Sequence, residues 1–149
     1  MEVRAATSAD IPAALELVRS YWDFEGIGGF DAPRIGRVLQ RLVGDSPYGA
    51  MWVATHQATL TGYLIVVLVM SVEHRGLMGE IDEFFVQPQA RSHGVGAQLL
   101  AAAEADLERR GAVRLQLQIG AGNARGRAFY ERHGYALRAG YELLDKQLT

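Results

Sequence analysis

The chain has 149 residues, of which 49% are hydrophobic and 21% are charged, and its formal net charge is −2. This length and balance predict one globular domain with a sizeable core. The small net charge gives no sign of a surface for nucleic acid or anionic membranes. The absence of cysteine excludes disulfides, a thiol nucleophile and a cysteine-based metal site, and it agrees with a cytoplasmic location. No bound metal is expected.

Hydrophobic periodicity and turn residues predict the first elements of the chain. A short strand at Val3–Ala6 precedes a helix with Pro12 in its first turn, and that helix is expected to end near Tyr21. Residues 21–30, YWDFEGIGGF, contain several turn signals and are predicted to form a loop. Asp31 is then expected to cap a second helix.

Three predicted strands follow this helix. Gly49–Thr55 and Leu60–Met70 form a hairpin, and Glu80–Val86 follows the polar connector Ser71–Met78. The apolar run Tyr63–Met70 is too short to span a bilayer, and the N-terminal sequence lacks the apolar core of a signal peptide. No membrane partner is therefore expected.

The last part of the chain is predicted to alternate helices and strands. These elements are a helix at Gly94–Arg110, a strand at Arg114–Ile119, a helix at Arg125–His133, and two final strands at Tyr135–Leu137 and Tyr141–Leu148. The predicted order is β-α-α-β-β-β-α-β-α-β-β, in one mixed α/β domain that covers residues 1–149.

A glycine-containing turn lies between the strand Glu80–Val86 and the following helix. The first N–H groups of such a helix have no partner within the helix and are suited to bind phosphate. A P-loop requires Lys-Ser/Thr after its last glycine, whereas Gly96 is followed by alanine and glutamine. A dinucleotide fingerprint requires a third glycine at the position of Leu99. The pattern that remains is Arg-x-x-Gly-x-Gly, at residues 91–96.

This pattern, the acidic strand before it, and the later Asn123 and residues 129–135 (FYERHGY) resemble the GNAT superfamily of acyl-CoA-dependent N-acetyltransferases. The specific resemblance covers Gly79–Tyr135. It implies a mostly antiparallel, splayed sheet of six to seven strands with about four helices. It also implies acetyl transfer from acetyl-CoA to an amine, with no nucleophilic side chain.

The resemblance also assigns residues to the cofactor. Backbone groups near the end of the acidic strand would pair with the pantetheine arm, the glycine turn would hold the pyrophosphate, and Asn123 would bind an amide of the cofactor. Ser92 departs from the glycine common in the family, and binding survives there if the position does not need a positive φ. The expected cofactor residues are Phe84, Phe85, Val86, Arg91, Ser92, His93, Gly94, Val95, Gly96, Ala97 and Asn123.

The transfer requires a proton acceptor for the amine, a donor for the oxyanion and an acid for the leaving thiolate. The resemblance implies Tyr130 as the acid and the backbone N–H of Val86 as the oxyanion donor. Glu80 and Asp82 are the candidate bases. Simple alternation places both on one face of the strand and Glu83 on the other, although a bulge would change this assignment. Glu80 is favoured narrowly.

The acceptor is expected to bind between the predicted 21–30 loop and the late strands. Aromatic rings with carboxylates suit a cationic amine. The residues expected to contact it are Tyr21, Trp22, Asp23, Phe24, Glu25 and Tyr141. A small amine, an amino acid, an aminoglycoside and a protein amine remain open as acceptors, as does a homodimer. The alternative function is a non-catalytic acyl-CoA sensor or interaction module.

Overall fold

The computed structural model describes residues 1–149, which form two compact units, Met1–Leu117 and Gln118–Thr149. Whether they act as one domain stays a prediction. The first unit contains β1 (Glu2–Ala5), α1 (Ile11–Glu25), α2 (Ala32–Gln40), β2 (Gly49–His56), β3 (Thr59–Ser71), β4 (Gly76–Val86), α3 (Val95–Arg109) and β5 (Arg114–Leu117). The second unit contains α4 (Ala124–Arg132). None of these helices is long and apolar enough to cross a bilayer.

The strands form one five-stranded sheet in the order β1-β2-β3-β4-β5. Neighbouring strands are antiparallel from β1 to β4, and β5 pairs with β4 in parallel. The β2–β3 hairpin turns through Gln57 and Ala58, both at positive φ, which matches the twist of the flanking strands. The mostly antiparallel sheet and the four helices agree with the expected architecture.

Helices cover both faces of the sheet. On one face, Leu17 and Val18 of α1 and Leu39 of α2 pack in one cluster with Val53 and Ile65 of the sheet. On the other face, α3 buries a stripe at helical spacing: Val95, Leu99, Leu100, Ala103 and Leu107. The sheet is therefore buried on both sides in its middle strands.

The predicted loop at residues 21–30 is partly wrong, because α1 continues through Glu25. Its last turn is held by tertiary contacts: Tyr21 packs on Phe85 with ring centroids 5.9 Å apart, and Trp22 packs edge-on against Phe30. Gly26 then ends the helix at φ 70, a left-handed position that glycine adopts without strain. Asp31 caps α2 as predicted, since its Oδ1 accepts from the backbone N–H of Arg34.

The two predicted C-terminal strands are absent, so the expected count of six to seven strands is wrong. Residues 135–149 form neither helix nor strand. Tyr135–Leu137 is very short, and the adjacent residues Leu143 and Leu144 break the alternation that gives a strand one apolar face. Both leucines are largely exposed, at 69% and 89%.

Candidate active site

A β-bulge interrupts β4 at Asp82. Ile81 pairs with Val66 and Glu83 pairs with Ile65. Two adjacent residues of β3 therefore oppose three consecutive residues of β4, 81–83. Asp82 is the extra residue. A bulge of this kind bends the strand and changes the direction of the side chains that follow it.

The bulge changes which carboxylates share a face. Glu80 pairs with Val67 and Glu83 pairs with Ile65. Directly opposed residues of an antiparallel pair lie on the same face, and Ile65 belongs to the core beneath α1. Glu80 and Glu83 therefore both face α1 and α2, and the alternation that placed them on opposite faces is wrong.

Glu83 is held by two side-chain donors. Trp22 Nε1 donates to Oε2 at 2.9 Å, and the Tyr63 hydroxyl donates to Oε1 at 2.8 Å. Burial raises the pKa of the Glu83 carboxyl, the two hydrogen bonds lower it, and the nearby charge of Asp82 raises it, with a net increase. Both oxygens are thus fixed in place by α1 and β3.

Two tyrosines next to these carboxylates are held in the neutral form. Burial, followed by the charge of Glu83, raises the pKa of the fully buried Tyr63. Burial raises the pKa of Tyr21 to about 12, with further increases from Glu25, Glu83 and Asp82. Both hydroxyls therefore remain donors at neutral pH, and neither is a ready proton acceptor.

A pocket of about 380 Å³ opens between α1, α2 and the bulge. Asp82 and Glu83 form one polar wall, and desolvation by the surrounding protein raises the pKa of Asp82 although the residue is exposed at its surface. The volume lies within the range of small-molecule sites. The complete lining is Val18, Trp22, Gly29, Asp31, Arg34, Ile35, Val38, Leu39, Leu42, Ile65, Asp82 and Glu83.

The predicted acceptor residues of the first unit lie on the last turn of α1 and are divided between two environments. Trp22 lines the pocket, and Tyr21 packs on Phe85 beside it. Asp23, Phe24 and Glu25 are exposed and do not line the pocket. The structure therefore brings only Tyr21 and Trp22 to the carboxylates of β4.

The glycine turn before α3 is open. Gly94 has φ 76, and a Cβ added there would meet nothing within 4 Å. No side chain caps the helix that follows, and its first turn contains no acidic residue. The first N–H groups of α3 are therefore available to an anion in front of the helix. Val95 is buried, whereas Gly96 and Ala97 are half-buried.

Ser92 has φ 68, so this position does adopt the left-handed conformation. Serine would replace glycine here without consequence only if the position did not need a positive φ, and this condition is not met. A non-glycine residue at positive φ is strained by roughly 1–2 kcal/mol. The exposed His93 lies beside it, with Nδ1 2.9 Å from the carbonyl oxygen of Arg91.

Arg91 is fixed against the end of β4. Its Nε donates to the carbonyl oxygen of Val86 at 2.8 Å. The guanidinium lies 5.3 Å from the ring centroid of Phe24 and 5.6 Å from that of Phe85. Phe24 thus contacts the arginine of the glycine turn and does not line the pocket between α1, α2 and the bulge.

The sheet opens along the second half of β4. The ladder between β4 and β5 ends at Ile81, whereas β4 continues to Val86. Phe84 and Val86 are half-buried, and Phe85 is buried in the core. The last residues of β4 therefore lie beyond the parallel ladder, as a splayed sheet requires.

The C-terminal unit contains the other predicted site residues. Asn123 caps α4 through Oδ1, which accepts from the N–H of Gly126 at 2.9 Å. Tyr130 is half-buried and packs edge-on against Phe129 and Tyr135. Tyr141 is 67% exposed and its hydroxyl accepts from Arg138.

Comparison with known families identifies the chain. Residues 14–135 match the model of the family described as acetyltransferase (GNAT). The chain belongs to the GNAT acetyltransferase family. It is 26% identical over 145 residues to the uncharacterized N-acetyltransferase YhfO of Bacillus subtilis, covering 95% of this chain and 93% of the relative. It is 28% identical over 140 residues to an aminoalkylphosphonate N-acetyltransferase of Salmonella typhimurium, covering 90% and 84%. The chain is thus an N-acetyltransferase.

Several solved structures have the same fold as this chain. An integron cassette protein from a salt-marsh metagenome has a TM-score of 0.86 with 27% identity, covering 99% of this chain and 90% of that one. An aminoglycoside acetyltransferase from an uncultured soil sample, solved with sisomicin, has a TM-score of 0.81 over 99% and 96% of the chains. At 14% identity the second likeness concerns the fold alone.

Tyr63, which holds Glu83, and several residues of the pocket lining are absent from the sequence-based predictions. Tyr63 stands inside an apolar strand, and its polar hydroxyl there is a signal that a buried partner exists. Ile35, Val38 and Leu39 follow the spacing of a core-facing helix, so their pattern does not distinguish a pocket wall from a core.

Ser92→Gly removes the strained serine and is expected to increase the free energy of unfolding by about 0.5–1 kcal/mol, because glycine has no Cβ penalty at positive φ. Urea unfolding of both proteins measures the difference. Gly94→Ser is the matched control and is expected to decrease stability by a similar amount. A Ser92→Gly variant less stable than the parent would contradict the strain.

Proposed function

We propose that this GNAT protein transfers acetyl from acetyl-CoA directly to a primary amine. One observation supports this above the others: a single strand, β4, borders an acidic pocket at its bulge and leads into an uncapped, open helix start. The pocket suits an ammonium group and the helix start suits a pyrophosphate. In this proposal the two ligands of an acetyl transfer bind to consecutive parts of the chain.

The donor is proposed to bind along the end of β4 and the following turn. Backbone groups of Phe84, Phe85 and Val86 would pair with the pantetheine arm, beyond the ladder to β5. N–H groups of residues 92–97 would hold the pyrophosphate, with Arg91 as the adjacent cation. The carbonyl oxygen of Asn123 is engaged in the cap, which leaves its amide nitrogen as the proposed donor to the cofactor.

Acetyl-CoA supplies an activated thioester, and the chain supplies the proton transfers. The ammonium group first loses one proton to a base, the amine nitrogen bonds to the acetyl carbon, and the C–S bond breaks. The thiolate takes a proton from an acid, and the second proton lost by the nitrogen restores that acid, directly or through solvent. The N–H of Val86 is proposed to stabilise the oxyanion. Tyr130 is proposed as the acid, since a tyrosine hydroxyl ordinarily keeps its proton at neutral pH.

Asp82 is the base that the geometry favours. Its carboxyl lines the pocket and its pKa is raised by desolvation, which strengthens a carboxylate as a proton acceptor. Each oxygen of Glu83 accepts a hydrogen bond, and these bonds stabilise its anion. Glu80 lies on the same face of β4 as Glu83 but does not line the pocket, so it is the second candidate for the base.

The names of similar proteins indicate which acceptors to test. The Salmonella relative acts on an aminoalkylphosphonate by its name, and a structural neighbour is an aminoglycoside acetyltransferase. Both names describe amines, which agrees with a carboxylate-lined pocket. Small-molecule amines are therefore proposed ahead of peptide amines as acceptors.

The direct test incubates the purified protein with acetyl-CoA and a broad panel of amines, and follows release of the CoA thiol. We expect release that depends on both the amine and the protein. Tight CoA binding by calorimetry without release for any amine would instead favour the acyl-CoA sensor. Absence of both binding and release would contradict the site itself.

Asp82→Asn is expected to lower kcat/KM by about 10²- to 10⁴-fold near neutral pH, the usual contribution of a general base. The loss should shrink as the pH approaches the pKa of the amine, because the acceptor then arrives neutral. In the parent protein, kcat/KM should fall at acidic pH with an apparent pKa above the ordinary pKa of aspartate. The reason is that the Asp82 carboxylate accepts a proton only above its raised pKa. Steady-state rates across pH measure both effects.

Two variants accompany Asp82→Asn. Asp45→Asn makes the same change at an exposed residue outside the pocket and should leave the rate unchanged. Glu80→Gln should have the smaller effect. A larger loss of kcat/KM with Glu80→Gln than with Asp82→Asn would identify Glu80 as the base instead.

Tyr130→Phe is expected to reduce kcat by about 10²-fold or more because the thiolate loses its acid, with little change in CoA affinity. Thiol release gives kcat and calorimetry gives the affinity. Tyr48→Phe removes the hydroxyl of an exposed tyrosine away from the pocket and serves as the control. Unchanged turnover in Tyr130→Phe would exclude this residue as the acid.

A further inference from the structure

The pocket beside the bulge has an acidic wall at β4, two charged residues of opposite sign at the start of α2, and a mostly apolar lining elsewhere. Asp82 and Glu83 provide the acidic wall, while α1, α2 and β3 provide the apolar lining, including Val18, Ile35 and Val38. Val38 is 53% exposed, so apolar surface lies open to solvent on the α2 side. A ligand that covers such surface gains hydrophobic free energy in proportion to the apolar area it buries.

The other charged groups of the pocket do not add a second site for a cation. Asp31 is engaged as the cap of α2, where its Oδ1 accepts from the N–H of Arg34. The side chain of Arg34 brings a positive charge to the same lining. Asp31 and Arg34 contribute one charge of each sign, so the excess negative charge of the pocket lies at the β4 wall. A second ammonium group would lie near Arg34 and lose its hydration.

We infer that this pocket selects a primary amine with one positive charge and an apolar body, such as an alkylamine or an arylalkylamine. The amine group lies at Asp82 and Glu83, and the apolar body lies against α1 and α2. This inference rests on the proposed function, because it names the acceptor of the same transfer. It disfavours polyamines and aminoglycosides, whose further ammonium groups would meet the apolar lining and Arg34.

A homologous series of acceptors tests the inference. Thiol release should give a kcat/KM that rises about fourfold per added methylene from ethylamine to hexylamine, as each methylene is buried. Hexylamine should exceed 1,6-diaminohexane, which has the same length and a second ammonium, by about tenfold or more. A kcat/KM for 1,6-diaminohexane equal to or above that for hexylamine would overturn the inference. A kcat/KM that did not change with the length of the alkylamine would also overturn it.

The same panel separates this inference from the proposed function. Release only with an aminoglycoside or a peptide amine would overturn the apolar selectivity while acetyl transfer stood. If no amine gave release of the CoA thiol, calorimetric titration of the alkylamines onto the protein with CoA would show whether the pocket binds them. Affinity that rose with chain length would support the pocket, and absence of binding would overturn it.

A charge placed in the apolar lining provides the sharpest test. Val38→Glu adds a carboxylate at an exposed pocket position, and it should lower kcat/KM for hexylamine about tenfold and shift the preference towards 1,6-diaminohexane. Gln40→Glu adds the same charge on α2 outside the pocket and should change neither. Thermal unfolding confirms that both variants fold. Equal effects of the two variants would overturn the proposed placement of the apolar body.

Discussion

The extra residue at Asp82 is the constraint on which the geometry of the site depends. Without the bulge, with residues 81–83 all paired in a regular ladder, β4 would alternate strictly and Glu83 would face α3 while Glu80 faced α1. With it, Glu80 and Glu83 share the face towards α1 and α2, and Asp82 is left at the bend with its carboxyl in the pocket. One inserted residue thus concentrates acidic groups on the helix side of the sheet, at the cost of one interrupted ladder position.

The carboxylate of Glu83 connects this bend to the helix above it. Its hydrogen bonds to Trp22 and Tyr63 join α1, β3 and β4 at one point. A buried carboxylate without such donors would be strongly unfavourable, so the donors are required by the burial of Glu83. The same bonds keep the last turn of α1 against the sheet, where it forms part of the pocket wall.

The sequence predicts the elements well where periodicity is local and poorly where distant contacts decide. The strands β2 and β3 and the cap at Asp31 depend on neighbouring residues only, and the structure has all three. The extension of α1 depends on Tyr21 and Trp22 meeting a strand some sixty residues later, as the hydrogen bond between Trp22 and Glu83 shows. The bulge likewise leaves no mark in composition, and it alone determines which carboxylates share a face.

The turn that follows β4 combines two opposing requirements. Ser92 and Gly94 both adopt positive φ, which turns the chain and exposes the first N–H groups of α3. A capping side chain would stabilise this helix start but would occupy the N–H groups that an anion needs. The buried stripe from Val95 to Leu107 offsets the missing cap, because packing of α3 on the sheet holds the helix without it. An open helix start therefore depends on an apolar helix face, and both belong to the same fifteen-residue segment.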